Sequence, residues 1–260
     1  MYGTHGGLRL FVFHHAGGSH LLYRDWPGLL PSSWDVRLLD APGRGRLTGE
    51  PQIDDARTLA GFFRRRLAAD LSGPFAFFGH SMGALIAYEL TQQLAAEGQR
   101  LPVWLGLSAR GAPRPAGDGT RRHDLPDDEL RLHLAAMGGT PLEVLQDADL
   151  WEMFAPALRN DLKLVESWRP LPGAPALSMP VSVYGGDGDV VVPPERLAGW
   201  EQHCARFMGL RMFDGGHFYF QADPRTLLQQ VARDATAALN APGAAGPAGA
   251  VGAVGAVGAP

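Results

Sequence analysis

The chain has 260 residues, 45% of them hydrophobic and 19% charged, with a formal net charge of -4. That length suits one sizeable globular domain and is short for two. The charge gives no field that would gather nucleic acid, and no basic block or aromatic-basic stripe offers it a site. Cys204 is the single cysteine, which excludes an internal disulfide and a cysteine-based metal site. It reads as a small buried hydrophobe on a helix.

The opening Met1-Tyr-Gly-Thr-His-Gly-Gly7 has no charged region followed by an apolar stretch. The first apolar run is too short to span a bilayer, so a cytoplasmic protein with no membrane partner is expected. That run, residues 8–15, reads as a central strand feeding the glycine-rich loop His14-His15-Ala16-Gly17-Gly18-Ser19. Residues 35–41 read as the next strand and Pro42-Gly43-Arg44-Gly45-Arg46 as a loop by its breakers. Residues 58–71 are helical by period, with Leu59, Phe62, Phe63 and Leu67 on one side and Arg64, Arg65 and Arg66 toward the other. The arginines read as a solvated face, with a docking surface for an acidic partner as the alternative.

The stretch from Phe75 to Tyr88 is the centre of the chain. Phe75-Ala-Phe-Phe78 is an apolar run, Gly79-His80-Ser81-Met82-Gly83 follows, and Leu85, Ile86, Leu90 and Leu94 then repeat at helical spacing up to Gly98. A G-x-S-x-G between a strand and a helix marks a nucleophile elbow. Its glycines permit a turn too tight for a Cβ. The turn lifts the Ser81 hydroxyl out of the sheet and sets it at a helix N-terminus, where backbone N–H groups can meet developing negative charge. Such sites take one oxyanion N–H from the residue after the nucleophile and another from an early strand-to-helix loop, which makes Met82 and Ala16 the candidate donors.

Residues 101–108 read as the strand after that helix. Between 112 and 173 no strand pattern interrupts two helical stretches, 127–137 and 147–168, the second opened by Asp147 as N-cap. The stretch is too long for an ordinary crossover and reads as an inserted helical lid. Its apolar members, Leu134, Met137, Leu145, Trp151, Phe154, Leu158 and Trp168, fit either a substrate groove or packing on the sheet.

Strand pattern returns at 180–186 and runs into Gly186-Asp187-Gly188-Asp189, followed by a helix over 194–204, a short last strand at 210–213 and the loop Asp214-Gly-Gly-His217-Phe218. The final helix starts at Pro224 and runs to 239. From 241 onward only Ala, Gly, Pro and Val occur, so the domain is expected over 1–240 with a disordered tail behind it. Strands alternating with helices predict an α/β fold, a mostly parallel sheet wrapped on both faces. Its functional loops gather at the strand carboxyl ends, and Ser81, Asp189 and His217 each follow a predicted strand.

A serine hydroxyl needs a base that removes its proton as the new bond forms. Of the nine histidines, His217 is best placed, in a glycine-rich loop after the last strand and in the chain order Ser, Asp, His. His14 and His15 are rivals that could instead shape the oxyanion loop, and the His80 ring should point away from the pocket. The carboxylate behind the imidazole falls to Asp189, which lies further past its strand than Asp187, though Asp187 stays open.

With these residues in place, the chain resembles the type II thioesterases of the α/β-hydrolase superfamily, the stand-alone editing enzymes of polyketide synthases and nonribosomal peptide synthetases. The likeness rests on the Ala16-Gly17-Gly18 loop, the Gly79–Gly83 elbow, the Gly-x-x-Asp of residues 186–189, Gly216-His217-Phe218, and the lid segments Met137-Gly-Gly-Thr-Pro141 and Leu158-Arg-Asn-Asp161. It covers most of residues 8–239. His14 stands where the family usually has proline. The resemblance implies Ser81, Asp189 and His217 as a triad, Ala16 and Met82 as the oxyanion hole, and no cofactor or metal. It also implies hydrolysis of acyl thioesters from the phosphopantetheine arm of acyl or peptidyl carrier proteins by a monomer. A chain-releasing thioesterase domain, an oxygen-ester carboxylesterase and a hydrolase-like binding protein are the alternatives.

Overall fold

A computed structural model describes residues 7–114, 119 and 121–242. The opening six residues, five positions of the turn-rich stretch after Arg114, and the repetitive tail from 243 lie outside the described residues. Six strands, β1 (Arg9–Phe13), β2 (Asp35–Leu39), β3 (Phe75–His80), β4 (Trp104–Ser108), β5 (Leu177–Gly186) and β6 (Cys204–Phe213), form one sheet. Their order is β2-β1-β3-β4-β5-β6, and every neighbouring pair is parallel.

The helices are α1 (Ala56–Leu67), α2 (Met82–Ala96), α3 (Asp127–Met137), α4 (Leu142–Gln146), α5 (Ala148–Ser167), α6 (Pro194–Ala198) and α7 (Arg225–Leu239). Side chains alternate across a strand, and here both faces are apolar, as a parallel sheet covered on two sides requires. Phe11, Phe13, Phe75, Phe77, Leu105 and Leu107 point into a core shared with α1 and α2. Leu10, Val12, Ala76, Phe78 and Trp104 point to the other side, against Tyr23, Trp26 and the Leu227, Leu228, Val231 and Ala235 stripe of α7. Helices α3 to α5, inserted between β4 and β5, have a small core of their own in Leu130, Leu134, Leu145, Trp151 and Leu158.

Three sequence expectations need correction. The helix expected over 194–204 is α6 plus a single 3-10 stretch, Gly199–His203, and Cys204 opens a strand instead of sitting on a helix. The last strand, expected at 210–213, is the ten residues of β6. Its register slips beside Val181 and Ser182, whose partners are Phe207 and Gly209, so Met208 is an extra residue and Gly209 takes φ +114°. A bulge of this kind breaks the alternation by which a strand is recognised. Among the described residues no helix is long and apolar enough to cross a membrane, and no group of three or more His, Cys, Asp or Glu could hold a metal ion.

The sheet is tied to α2 by backbone contact. A Cβ at Gly83 would lie 2.1 Å from the Phe13 carbonyl oxygen, and one at Gly79 would lie 2.2 Å from the Gly83 carbonyl. Gly83→Ala should therefore lower stability by about 1–3 kcal/mol, since rigid backbone must move to admit a methyl group. Gly49→Ala, at a turn with nothing within 4 Å, should stay within about 0.5 kcal/mol of wild type. Urea unfolding of the two variants measures the difference, and equal midpoints would contradict the close approach.

Candidate active site

Ser81 stands between β3 and α2 at φ +54° and ψ -111°, outside the ordinary regions for a residue with a Cβ. Its N–H donates to the Ser108 carbonyl at 2.8 Å, which fixes the turn against β4. The first N–H groups of a helix have no intrahelical partner. Among the described residues neither the Met82 N–H nor the Ala16 N–H donates a hydrogen bond. Both expected oxyanion donors are thus open, and Ala16 lines the same cleft as Ser81 and His217.

His217 lies in the loop after β6 with its ring almost wholly buried. Its Nδ1 is 2.8 Å from Asp189 Oδ2 and its Nε2 is 3.0 Å from Ser81 Oγ. A carboxylate only accepts, so Nδ1 donates to Asp189, and a neutral ring then leaves Nε2 as acceptor for the Ser81 O–H. Asp189 Oδ1 accepts the N–H groups of Val191 and Val192 at 2.8 and 3.0 Å. Burial pushes the Asp189 carboxyl up, but the hydrogen bond and charge of His217 and the two N–H groups outweigh it and hold the carboxyl below its ordinary value.

Of the two aspartates left open by the sequence, only Asp189 reaches the imidazole. Asp187 accepts the Gly215 N–H at 3.1 Å and braces the loop that carries His217.

The rival histidines are spent elsewhere. His14 Nε2 accepts the Ala41 N–H at 3.1 Å and its Nδ1 donates to the His15 carbonyl at 2.8 Å, which pins the glycine-rich loop to the end of β2. His15 Nδ1 pairs with the Tyr23 hydroxyl at 2.9 Å. His80 lies fully buried beneath the site, with Nδ1 2.8 Å from Ser108 Oγ and its ring 5.1 Å from that of His217.

The cleft above Ser81 encloses about 200 Å³. Of the seven apolar residues expected in the insertion, Leu134, Met137, Phe154, Leu158 and Trp168 line it, while Leu145 and Trp151 pack in the small core of α3 to α5. Trp168 also belongs to the main core, where its Nε1 donates to Glu89.

The sequence reading missed one contact. Asp161 of α5 accepts the Gly17 N–H at 2.8 Å and pairs with Arg44, both charged groups being buried. The signal available was a carboxylate on the apolar stripe of α5, at helical spacing from Phe154 and Leu158.

The model of the thioesterase domain family matches residues 8–239. The chain belongs to that family. It is 31% identical over 239 residues to the thioesterase PikA5 of Streptomyces venezuelae, covering 90% of this chain and 83% of that one. It is 32% identical over 222 residues, 84% of each chain, to the protein named linear gramicidin dehydrogenase LgrE from Brevibacillus parabrevis. Its similarity to the solved structure of the type II thioesterase BorB from the borrelidin biosynthetic cluster has a TM-score of 0.79 at 35% identity, covering 90% of this chain and 94% of that one.

Three buried histidines around the site of this thioesterase are pushed toward the neutral form. Burial, helped by Arg44, lowers His14 to about 4; burial, His14, His217 and Arg44 lower His15 to about 3; burial, His217 and His15 lower His80 well below 6.5. Because each folded-state pKa lies below its unfolded value, the unfolded chain binds more protons as the medium acidifies. The stability from these groups is complete above about pH 6.5 and drains as the pH falls, toward about pH 4 for His14 and about pH 3 for His15, with a slope of up to about 1.4 kcal/mol per pH unit for each. Urea unfolding across that window should show stability falling with pH, more gently in His14→Gln, where one of the groups cannot titrate. Parallel slopes in variant and wild type would contradict the assignment.

Proposed function

We propose that this thioesterase works as a serine hydrolase, with Ser81 as nucleophile, His217 as general base and then acid, and Asp189 as the carboxylate that orients the imidazole. The N–H groups of Ala16 and Met82 are the oxyanion donors. The observation that carries the reading is the unbroken run of two hydrogen bonds, Asp189 Oδ2 to His217 Nδ1 and His217 Nε2 to Ser81 Oγ, at 2.8 and 3.0 Å.

Ser81 Oγ attacks the thioester carbonyl while its proton passes to His217 Nε2. Asp189 stabilises the imidazolium that forms, and the carbonyl oxygen, now negative, rests between the two N–H groups. The imidazolium returns the proton to the departing sulfur, leaving an acyl-serine. A water then gives its proton to the same nitrogen, attacks the ester carbonyl and releases the acid, restoring Ser81. No step in this sequence calls for a cofactor.

The substrate class we infer is supported by the relatives, among them BorB and the type II thioesterase YbtT from the yersiniabactin nonribosomal peptide and polyketide pathway. The acyl group is carried on the phosphopantetheine arm of an acyl or peptidyl carrier protein, and the enzyme clears stalled or aberrant acyl groups. The charge of the cleft supports this. Arg114 and Arg169 line it beside the ion pair of Arg122 with Glu166. An arm with a phosphodiester fits such a wall.

Ser81→Ala should reduce hydrolysis of carrier-bound and free acyl thioesters by about 10⁴-fold or more, since the residual rate of a dismantled triad is that of the oxyanion hole and binding alone. A variant that keeps the wild-type rate would end the assignment. Replacing Arg114 and Arg169 by Ser should raise KM for an acyl carrier protein thioester about fivefold to twentyfold and leave that for an arm-less thioester within about twofold. Equal changes on the two substrates would contradict the anion-binding role.

A further inference from the structure

The insertion reaches the oxyanion loop through one buried carboxylate. Asp161 is fully buried on α5, where Phe154, Leu158 and Asp161 share a face at i, i+4 and i+7. That face sits directly on Gly17. A Cβ there would lie 2.8 Å from Phe154 Cζ and 3.2 Å from Leu158 Cδ1, and Gly17 takes φ +74°. Asp161 Oδ2 accepts the Gly17 N–H at 2.8 Å, and both carboxylate oxygens accept from the Arg44 guanidinium, with Nη2 to Oδ1 at 2.8 Å.

The successive N–H groups of Ala16, Gly17 and Gly18 have separate fates. The Gly18 N–H turns back to the His15 carbonyl at 2.9 Å and the Gly17 N–H goes to Asp161, while that of Ala16 is left without a hydrogen bond among the described residues. The Ala16–Gly17 peptide plane adjoins the plane that carries the Ala16 N–H. Fixing the first limits how far the second can rotate, because only φ and ψ of Ala16 join them. A buried ion pair is a poor way to gain stability, since apolar residues of similar volume serve as well or better. Its presence is accounted for if an acceptor is required at that point for the Gly17 N–H and a counter-charge must then accompany it.

We propose that Asp161 is the positioning residue for the Ala16 oxyanion donor: through the Gly17 N–H it holds the loop in register with Ser81, and Arg44 supplies its counter-charge. Helix α5 is then a structural part of the oxyanion hole as well as a wall of the cleft. The inference rests on the reading of Ala16 as a donor. Displacing that donor weakens the bond to the oxyanion and leaves substrate binding in the cleft untouched.

Two double variants separate positioning from packing. Arg44→Met with Asp161→Asn and Arg44→Met with Asp161→Leu both remove the ion pair, but only the first keeps an oxygen for the Gly17 N–H. Three quantities are measured on each: kcat and KM for a small acyl thioester, affinity for an alkyl boronic acid that forms an anionic tetrahedral adduct on Ser81, and affinity for a non-hydrolysable acyl-chain thioether. The Asn version should stay within about threefold of wild type in all of them. The Leu version should lose about tenfold to a hundredfold in kcat and in boronate affinity, a fraction of the full loss of one oxyanion donor, with KM and thioether affinity within about threefold. Equal kcat and boronate affinity in the two versions, or a matching loss of thioether affinity in the Leu version, overturns the proposal. If the Leu version does not fold, Asp161→Glu serves instead, since it keeps the charge and moves the acceptor by one methylene. It should lose at least about tenfold in kcat and boronate affinity, and wild-type values in it would overturn the proposal. A wild-type protein that binds the boronate yet spares acyl thioesters would contradict the substrate reading and leave the boronate comparison valid.

Discussion

A serine held at φ +54° between a buried strand and a buried helix is the constraint on which the site depends. A side chain in such a conformation costs about 1–3 kcal/mol and persists only where its surroundings over-determine it. Here they do. Gly79 and Gly83 meet backbone to backbone, Gly83 rests on the Phe13 carbonyl, and the Ser81 N–H is bonded across to β4. The same contacts that forbid a Cβ on either side bring the hydroxyl up to the carboxyl edge of the sheet, next to the loop after β1. Stability and reactivity at this corner are therefore not separable: the close packing that strains the turn is what aims it.

Around that corner the charges are sorted by who can answer them. Asp189 is buried but has three donors, one from His217 and two from backbone. His14, His15 and His80 are buried with too few partners for a proton, and all are pushed toward the neutral form. In the proposed mechanism, neutral neighbouring rings spare His217 their repulsion when it takes up the Ser81 proton. Arg44 and Asp161, buried beneath the loop, pair with one another.

How much of this was legible depended on how local the signal was. The elbow, the glycine-rich loop and the His217 loop are each written in consecutive residues, and their order along the chain was enough to bring them to one edge of a parallel sheet. The choice between Asp187 and Asp189 was not local. Both follow β5, and what separates them is where the loop after β6 lies, with Asp187 bonded to its backbone and Asp189 to its imidazole. The first half of β6 was lost to the bulge at Gly209, which shifts alternation by one residue. The contact of Asp161 with Gly17 joins residues 144 positions apart, and nothing in either segment names the other. In each case the sequence supplies the residue and the fold supplies its partner.

The central claim is that the reaction passes through an acyl group on one oxygen. Rapid-quench mass spectrometry of the protein mixed with excess acyl carrier protein thioester tests it most directly. The account predicts a mass increase equal to the acyl group less the hydrogen it replaces, located on the peptide that carries Ser81 and gone once the thioester is consumed. Turnover at the same rate with no adduct on that peptide, or with the acyl group found on Cys204 or a histidine, would contradict it.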